Sequence, residues 1–160
     1  VDQQLSEWRP AFTAAKRVLQ SRGTIPSSVA VEPGPAGQVL AALIENSLLH
    51  GQGRTIVDVS ASSGVPWLEV SDEGPGVPDE IVARVFERDV SGAGGTGLGL
   101  AAAQDAAVSV GGRLALVRRR PAHFRFFLDG GKHPAPVGPE AEEGAEPDAD
   151  HVRRDVVRKS

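Results

Sequence analysis

The sequence predicts an α/β sandwich: a mixed, mainly antiparallel sheet covered on one face by helices. Three observations predict it. Thr55–Ser60 and Trp67–Ser71 carry β-branched alternation and read as a hairpin around Ser63-Gly64. Arg113–Arg118 and His123–Leu128 form a second hairpin near the end of the ordered pattern. Two apolar stretches with helical spacing stand apart from these strands, one before the first hairpin and one between the two. Helices with one apolar stripe bury it against a sheet with one apolar face.

In chain order, a helix is predicted near Leu5–Ala15, with Trp8 and Phe12 four apart on one face. Arg17–Gln20 and Ser28–Glu32 read as short strands around a Gly23–Pro26 turn. Glu32-Pro33-Gly34 breaks the chain before an amphipathic helix over Val39–Gly51, whose stripe is Leu40, Leu43, Ile44 and Leu48. Asp79 is expected to cap a short helix running through Phe86. Gly97–Ser109 reads as the last helix, stopped by Gly111-Gly112. No internal repeat is present. One domain is expected over 1–130. From there prolines interrupt an acidic run, including Glu140, Glu142, Glu143 and Glu146, before a small basic cap at Arg153, Arg154, Arg158 and Lys159. Residues 131–160 read as a solvated, disordered tail, because such a stretch cannot bury enough apolar area to order itself.

At 160 residues the chain can bury a real core. Its aromatic content is only 4%, with no Tyr, so that core must rest on Val, Leu, Ile and Ala. The formal charge of −4 gives no reason to expect nucleic-acid binding. With no Cys, disulfides, thiolate metal sites and a cysteine nucleophile are excluded. No apolar run approaches the roughly 18 residues that a membrane span needs, and no signal-peptide pattern opens the sequence. No membrane contact is expected of this segment; an anchor, if the parent carries one, would lie outside it.

Three motifs carry the chemistry. The first is Val70-Ser71-Asp72-Glu73-Gly74-Pro75-Gly76-Val77-Pro78. A buried carboxylate after an apolar strand can accept a hydrogen bond from the amino group of adenine. The second is Gly94-Gly95-Thr96-Gly97-Leu98-Gly99-Leu100, a glycine-rich turn that opens a helix. Free N–H groups and the dipole at a helix start favour phosphate. It is no Walker A loop, since no Lys-Ser or Lys-Thr follows, and no dinucleotide fingerprint, since no βαβ unit surrounds it. The third motif is Glu45-Asn46-Ser47-Leu48-Leu49-His50-Gly51, in which Asn46 and His50 share a helix face. Asn offers a neutral oxygen to Mg²⁺, and His can donate to phosphate.

In this order the motifs resemble the ATP-binding catalytic domain of bacterial sensor histidine kinases, within the GHKL ATPase group. The resemblance covers roughly Trp8 to Asp129. Residues 45–51 resemble the asparagine box, 70–78 the first glycine box, Val85-Phe86-Glu87-Arg88 the phenylalanine box, and Gly95–Leu100 the second glycine box. It implies ATP and Mg²⁺ as ligands. Asn46 would ligate Mg²⁺ and His50 would contact phosphate. Asp72 would accept from adenine, Gly74 and Gly76 would allow close approach to the base, and Val77 would pack beside it. Gly95, Thr96, Gly97, Leu98 and Gly99 would shape the lid and the phosphate-facing start of the last helix, with Phe86 anchoring the lid's near end. The implied partners are a histidine-bearing dimerisation domain and a response regulator, and the implied setting is the cytoplasm.

The sequence departs from the family pattern at four points. Ala42 stands where many relatives carry Asn or Glu, and Leu49 where a basic residue often precedes the His. Asp89 replaces the second aromatic of the phenylalanine box, and the lid is short. The nucleophile would be a histidine imidazole, yet none of His50, His123, His133 and His151 is followed by the acid-x-basic-x-Pro pattern of a phosphoacceptor. A catalytic domain cut from a longer sensor kinase, or half of a split kinase, is therefore expected. Glu45 neighbours Asn46, but adjacent helix positions point about 100° apart, which argues against it as a general base. Three other readings stand beside this one: an anti-sigma-type serine protein kinase, a degenerate nucleotide-free interaction module, and a stand-alone nucleotide-binding regulator. Ala42 argues against the first, and the intact Asn46, Asp72 and glycine boxes against the second.

Overall fold

A computed structural model describes residues 1–23, 34–62, 64–88, 90 and 98–128. The chain order is α1 (Asp2–Ala14), β1 (Val18–Gly23), α2 (Pro35–His50), β2 (Arg54–Ser62), β3 (Val65–Asp72), α3 (Asp79–Val82), α4 (Gly99–Ser109), β4 (Arg113–Arg118) and β5 (His123–Phe127). The five strands form one sheet in the order β1-β2-β3-β5-β4. Only β1 and β2 run parallel; the other three pairings are antiparallel. The predicted mixed, mainly antiparallel sheet with helices is the observed architecture.

Register explains which face is covered. Val57 lies opposite Val70, Val59 opposite Leu68, Leu68 opposite Phe126, and Val70 opposite Phe124. All are buried, and Leu114, opposite Phe126, joins them. Leu40, Leu43 and Ile44 of α2, Phe12 of α1 and Ala103 and Ala107 of α4 complete the same core. Ala101, Ala103, Ala106 and Ala107 give α4 a buried face of small residues, which lets it lie close against α2. The alternate strand positions, among them Ile56, Trp67, Arg125 and Phe127, are half-exposed on the opposite face. There Glu69 is buried beneath two partners, with Arg125 Nε 2.8 Å from Oε2 and His123 Nδ1 2.8 Å from Oε1. A carboxylate only accepts, so His123 Nδ1 carries the proton. Burial works to raise the Glu69 carboxyl, but the His123 hydrogen bond and the Arg125 charge outweigh it and hold it below the usual range.

Several elements differ from expectation. α1 starts at Asp2 rather than Leu5 and contains Pro10. Beyond its end at Ala14, Lys16 takes φ of +56°, which turns the chain into β1. β1 continues to Gly23, into the expected turn. α2 begins four residues before the expected start at Val39, with Pro35 at its first position, where a missing N–H costs nothing. Asp79 does not cap α3: Pro78 precedes the helix, no side-chain cap bond forms, and the helix stops at Val82. Its carboxylate instead receives Arg119 at 3.0 Å and Arg120 at 2.7 Å from the β4–β5 turn. α4 ends as predicted: Gly111 takes φ of +69°, and Gly112 N–H donates back to Ala107 O at 2.9 Å. The expected strand Ser28–Glu32, Ser63 of the first turn, Asp89 and the acidic tail lie outside the described residues.

Candidate functional site

Asp72 is the last residue of β3, at the end of an apolar strand, and is 9% exposed. Its Oδ1 accepts from Gly74 N–H at 2.6 Å, and the Gln52 N–H also bonds the carboxylate. Burial pushes its carboxyl above the usual aspartate range, against those two bonds and the charges of Arg17 and His123. The cradle is tight. A Cβ on Gly51 would sit 2.5 Å from Asp72 Cγ, and one on Gly74 would sit 2.6 Å from Asp72 Oδ1. Both positions need glycine for want of space. Neither takes a positive φ; Gly51 is extended at −80° and 176°.

The other glycine of this motif has a different reason. Gly76 takes φ of +78°, and a side chain there would collide with the Arg119 carbonyl. Val77, buried at 7%, donates its N–H to the same carbonyl at 2.9 Å. The first glycine motif is thus held on one side by the 51–53 turn and on the other by the β4–β5 turn. Arg119 and Arg120 of that turn are both taken up by Asp79.

α2 supplies the third motif. Its buried positions include Leu43, Ile44 and Ser47, so Asn46 lies at the margin of the core face, half-buried, while His50 and Glu45 are exposed. Phe86 packs edge-on to Phe124, with ring centroids 6.1 Å apart. Leu98, 51% exposed, precedes α4, and Gly99 opens it with open space where a side chain would stand. Among the described residues no side chain caps the start of α4. Gly94, Gly95, Thr96 and Gly97 lie outside the described residues. Among the described residues no group of three His, Cys, Asp or Glu gathers as a metal site, and no helix is long and apolar enough to cross a membrane.

Sequence reasoning missed Arg17, which precedes β1. Its guanidinium donates to Ser47 O and Leu48 O at the end of α2, to Gln52 O and Gly53 O in the following turn, and to Thr55 Oγ1 in β2. No local pattern marks it, because its partners lie at least thirty residues away. Gln52 and Gly51 were also not read as neighbours of Asp72. The signal available was the glycine after the helix, which suggested a cap rather than a close approach.

Comparison with known proteins gives the family. The family described as histidine kinase-, DNA gyrase B- and HSP90-like ATPases matches residues 32–132. The two-component sensor PhoQ of Pseudomonas aeruginosa is 41% identical over 105 residues, covering 63% of this chain and 23% of that protein. The sensor histidine kinase component HK1 of Mycobacterium tuberculosis is 30% identical over 95 residues, 56% of each chain. The chain therefore spans between about a quarter and just over half of these relatives. Among solved structures, full-length ShkA in complex with AMPPNP superposes with a TM-score of 0.67 at 26% identity, over 79% of this chain and 28% of that one.

Proposed function

The chain belongs to the histidine kinase-, DNA gyrase B- and HSP90-like ATPase family, as an ATP-binding catalytic domain of the histidine-kinase kind, and from that premise we propose that it binds Mg-ATP beside Asp72 and transfers the γ-phosphoryl group to a histidine. The acceptor belongs to a dimerisation and phosphoacceptor segment that these 160 residues do not contain, and the product serves a response regulator in cytoplasmic two-component signalling. The observation that carries this reading is the buried Asp72 carboxylate, cradled by Gly51, Gln52 and Gly74. Two backbone N–H groups already bond it, and a carboxylate has further acceptor positions that an adenine amino group would use.

On this reading Asp72 accepts from the adenine amino group, Gly74 and Gly76 keep the backbone low beside the base, and Val77 forms its apolar wall. The start of α4, at Leu98 and Gly99, offers its first N–H groups to phosphate, and by the resemblance Gly95, Thr96 and Gly97 belong to the same phosphate-binding motif. His50 donates to a phosphate oxygen. Asn46 supplies one neutral oxygen to Mg²⁺. A single protein ligand fits a Mg²⁺ that keeps water and phosphate oxygens as its other ligands, and not an all-protein cage. The bound ion would balance the charge that spreads over the phosphoryl oxygens. In the transfer, the bond from the γ-phosphorus to ADP breaks and a bond to the imidazole nitrogen forms.

Incubating the full chain with γ-labelled Mg-ATP and a separately produced histidine-bearing dimerisation segment tests the reaction. Label on the segment that is stable in base and labile in acid is expected. Acid-stable label on serine would instead favour the anti-sigma-type kinase.

A further inference from the structure

We propose that Arg17 is a positioning residue for the Asp72 carboxylate: it ties the carboxyl end of α2 and the 51–53 turn to β2, so that this turn closes on Asp72 in one geometry. The proposal rests on the reading of Asp72 as the adenine acceptor and extends it. Arg17 lies outside all four sequence boxes and before the first residue of the family match.

Its backbone is fixed first. The left-handed Lys16, uncommon for a residue with a side chain, lets Arg17 N–H donate to Phe12 O at 2.8 Å. The guanidinium then lies 5.3 Å from the centroid of the buried Phe12 ring. From there it reaches three elements. Nε donates to Gly53 O at 3.1 Å, Nη1 to Ser47 O and to Leu48 O at 3.2 Å. Nη2 donates to Thr55 Oγ1 at 2.9 Å, to Gln52 O at 3.3 Å and to Ser47 Oγ at 3.4 Å. Ser47 Oγ and Thr55 Oγ1 are themselves 2.7 Å apart and both residues are buried.

The final carbonyls of a helix have no partner within it, and a glycine in the left-handed region commonly supplies one. Gly51 is extended: its N–H donates to Ser47 O at 2.8 Å but leaves the Leu48 carbonyl and the carbonyls of the following turn to another donor. Arg17 is that donor, with a positive charge at the negative end of the helix dipole. The link to Asp72 is short. Thr55 lies opposite Asp72 in the sheet. Gln52 gives its carbonyl to Arg17 and to Glu73 N–H, and its N–H to Asp72. The charged groups acting on Asp72 are Arg17 and, from β5, His123; the adjacent Glu73 is engaged by Arg54. A planar fork with five donors can span this set, and a lysine ammonium cannot.

The experiment is calorimetric titration of Mg-ADP, at a series of pH values from neutral down toward the ordinary aspartate pKa of about 3.9, into the full chain, R17K, R17Q and D72N, with folding checked by circular dichroism. Wild-type affinity should fall on acidification as Asp72 takes up its proton. R17Q should bind at least about tenfold more weakly at neutral pH, with the midpoint of that profile moved upward. R17K should lose affinity with its midpoint nearer the wild type, and it keeps the test open should R17Q not fold. A folded R17Q or R17K with wild-type affinity and midpoint, while D72N has lost binding, overturns the positioning role alone. Affinity loss that tracks melting temperature with no movement of the midpoint also overturns it. D72N binding like the wild type removes the adenine reading itself.

Discussion

At the residue scale, the site is built from glycines that serve different ends. Gly51 and Gly74 make room for a carboxylate, while Gly64 merely supplies φ of +79° in an open turn. Gly51→Ala and Gly74→Ala should each weaken Mg-ATP binding by about tenfold or more, and cost roughly 1–3 kcal/mol by overpacking. Gly64→Ala should cost about 1 kcal/mol and leave binding unchanged. Parallel melts and titrations check all three. Asp72 adds a pH dependence. Its carboxyl is raised by burial, so nucleotide affinity should be full at neutral pH and fall on acidification before an ordinary aspartate would protonate. In sequence, the burial of Asp72 was legible because it follows an apolar strand and precedes Gly74-Pro75-Gly76. Gly51 as its neighbour was not, because a glycine after a helix reads equally well as a cap. Arg17 was invisible, since its meaning lies in carbonyls far along the chain.

At the element scale, α2 and the two hairpins were legible because their periodicities are long and clean. The ends were not, because termini depend on partners elsewhere. Asp79 had the right residue type for a cap, but two arginines from a distant turn compete for its carboxylate and win. These ion pairs are exposed, so Asp79→Ala should change stability by less than about 1 kcal/mol in denaturant melts. The turn they touch is held more firmly by backbone. Gly76→Ala meets both a positive φ and the Arg119 carbonyl, and should cost more than Asp79→Ala in the same melts. A smaller effect for Gly76→Ala would show that the side-chain pairs, not the backbone contact, hold the turn.

At the scale of the whole molecule, one face of the sheet is apolar and closed by helices, and the other is half-exposed around Glu69. Phe126, 2% exposed, meets both Leu68 and Leu114 in register. Phe126→Ala should cost about 3–5 kcal/mol. Glu69 makes stability depend on acid. Its carboxyl is held below the usual range, so its contribution is complete above the ordinary glutamate pKa of about 4.3 and is lost as pH falls through the folded value. Glu69→Gln should flatten that acid limb of the stability profile. The sandwich itself was readable because apolar alternation and helical stripes agree on one core. That Gly51 and Gln52 of a separate segment close on Asp72 was not readable, since such convergence is a property of topology. The central claim is that this convergence makes an adenine site at Asp72. Calorimetric titration of Mg-ATP into the wild type and Asp72→Asn tests it most directly. Binding in the micromolar range that the substitution abolishes is the predicted result; a folded wild type that binds no nucleotide, or a variant that binds as well as the wild type, would contradict it.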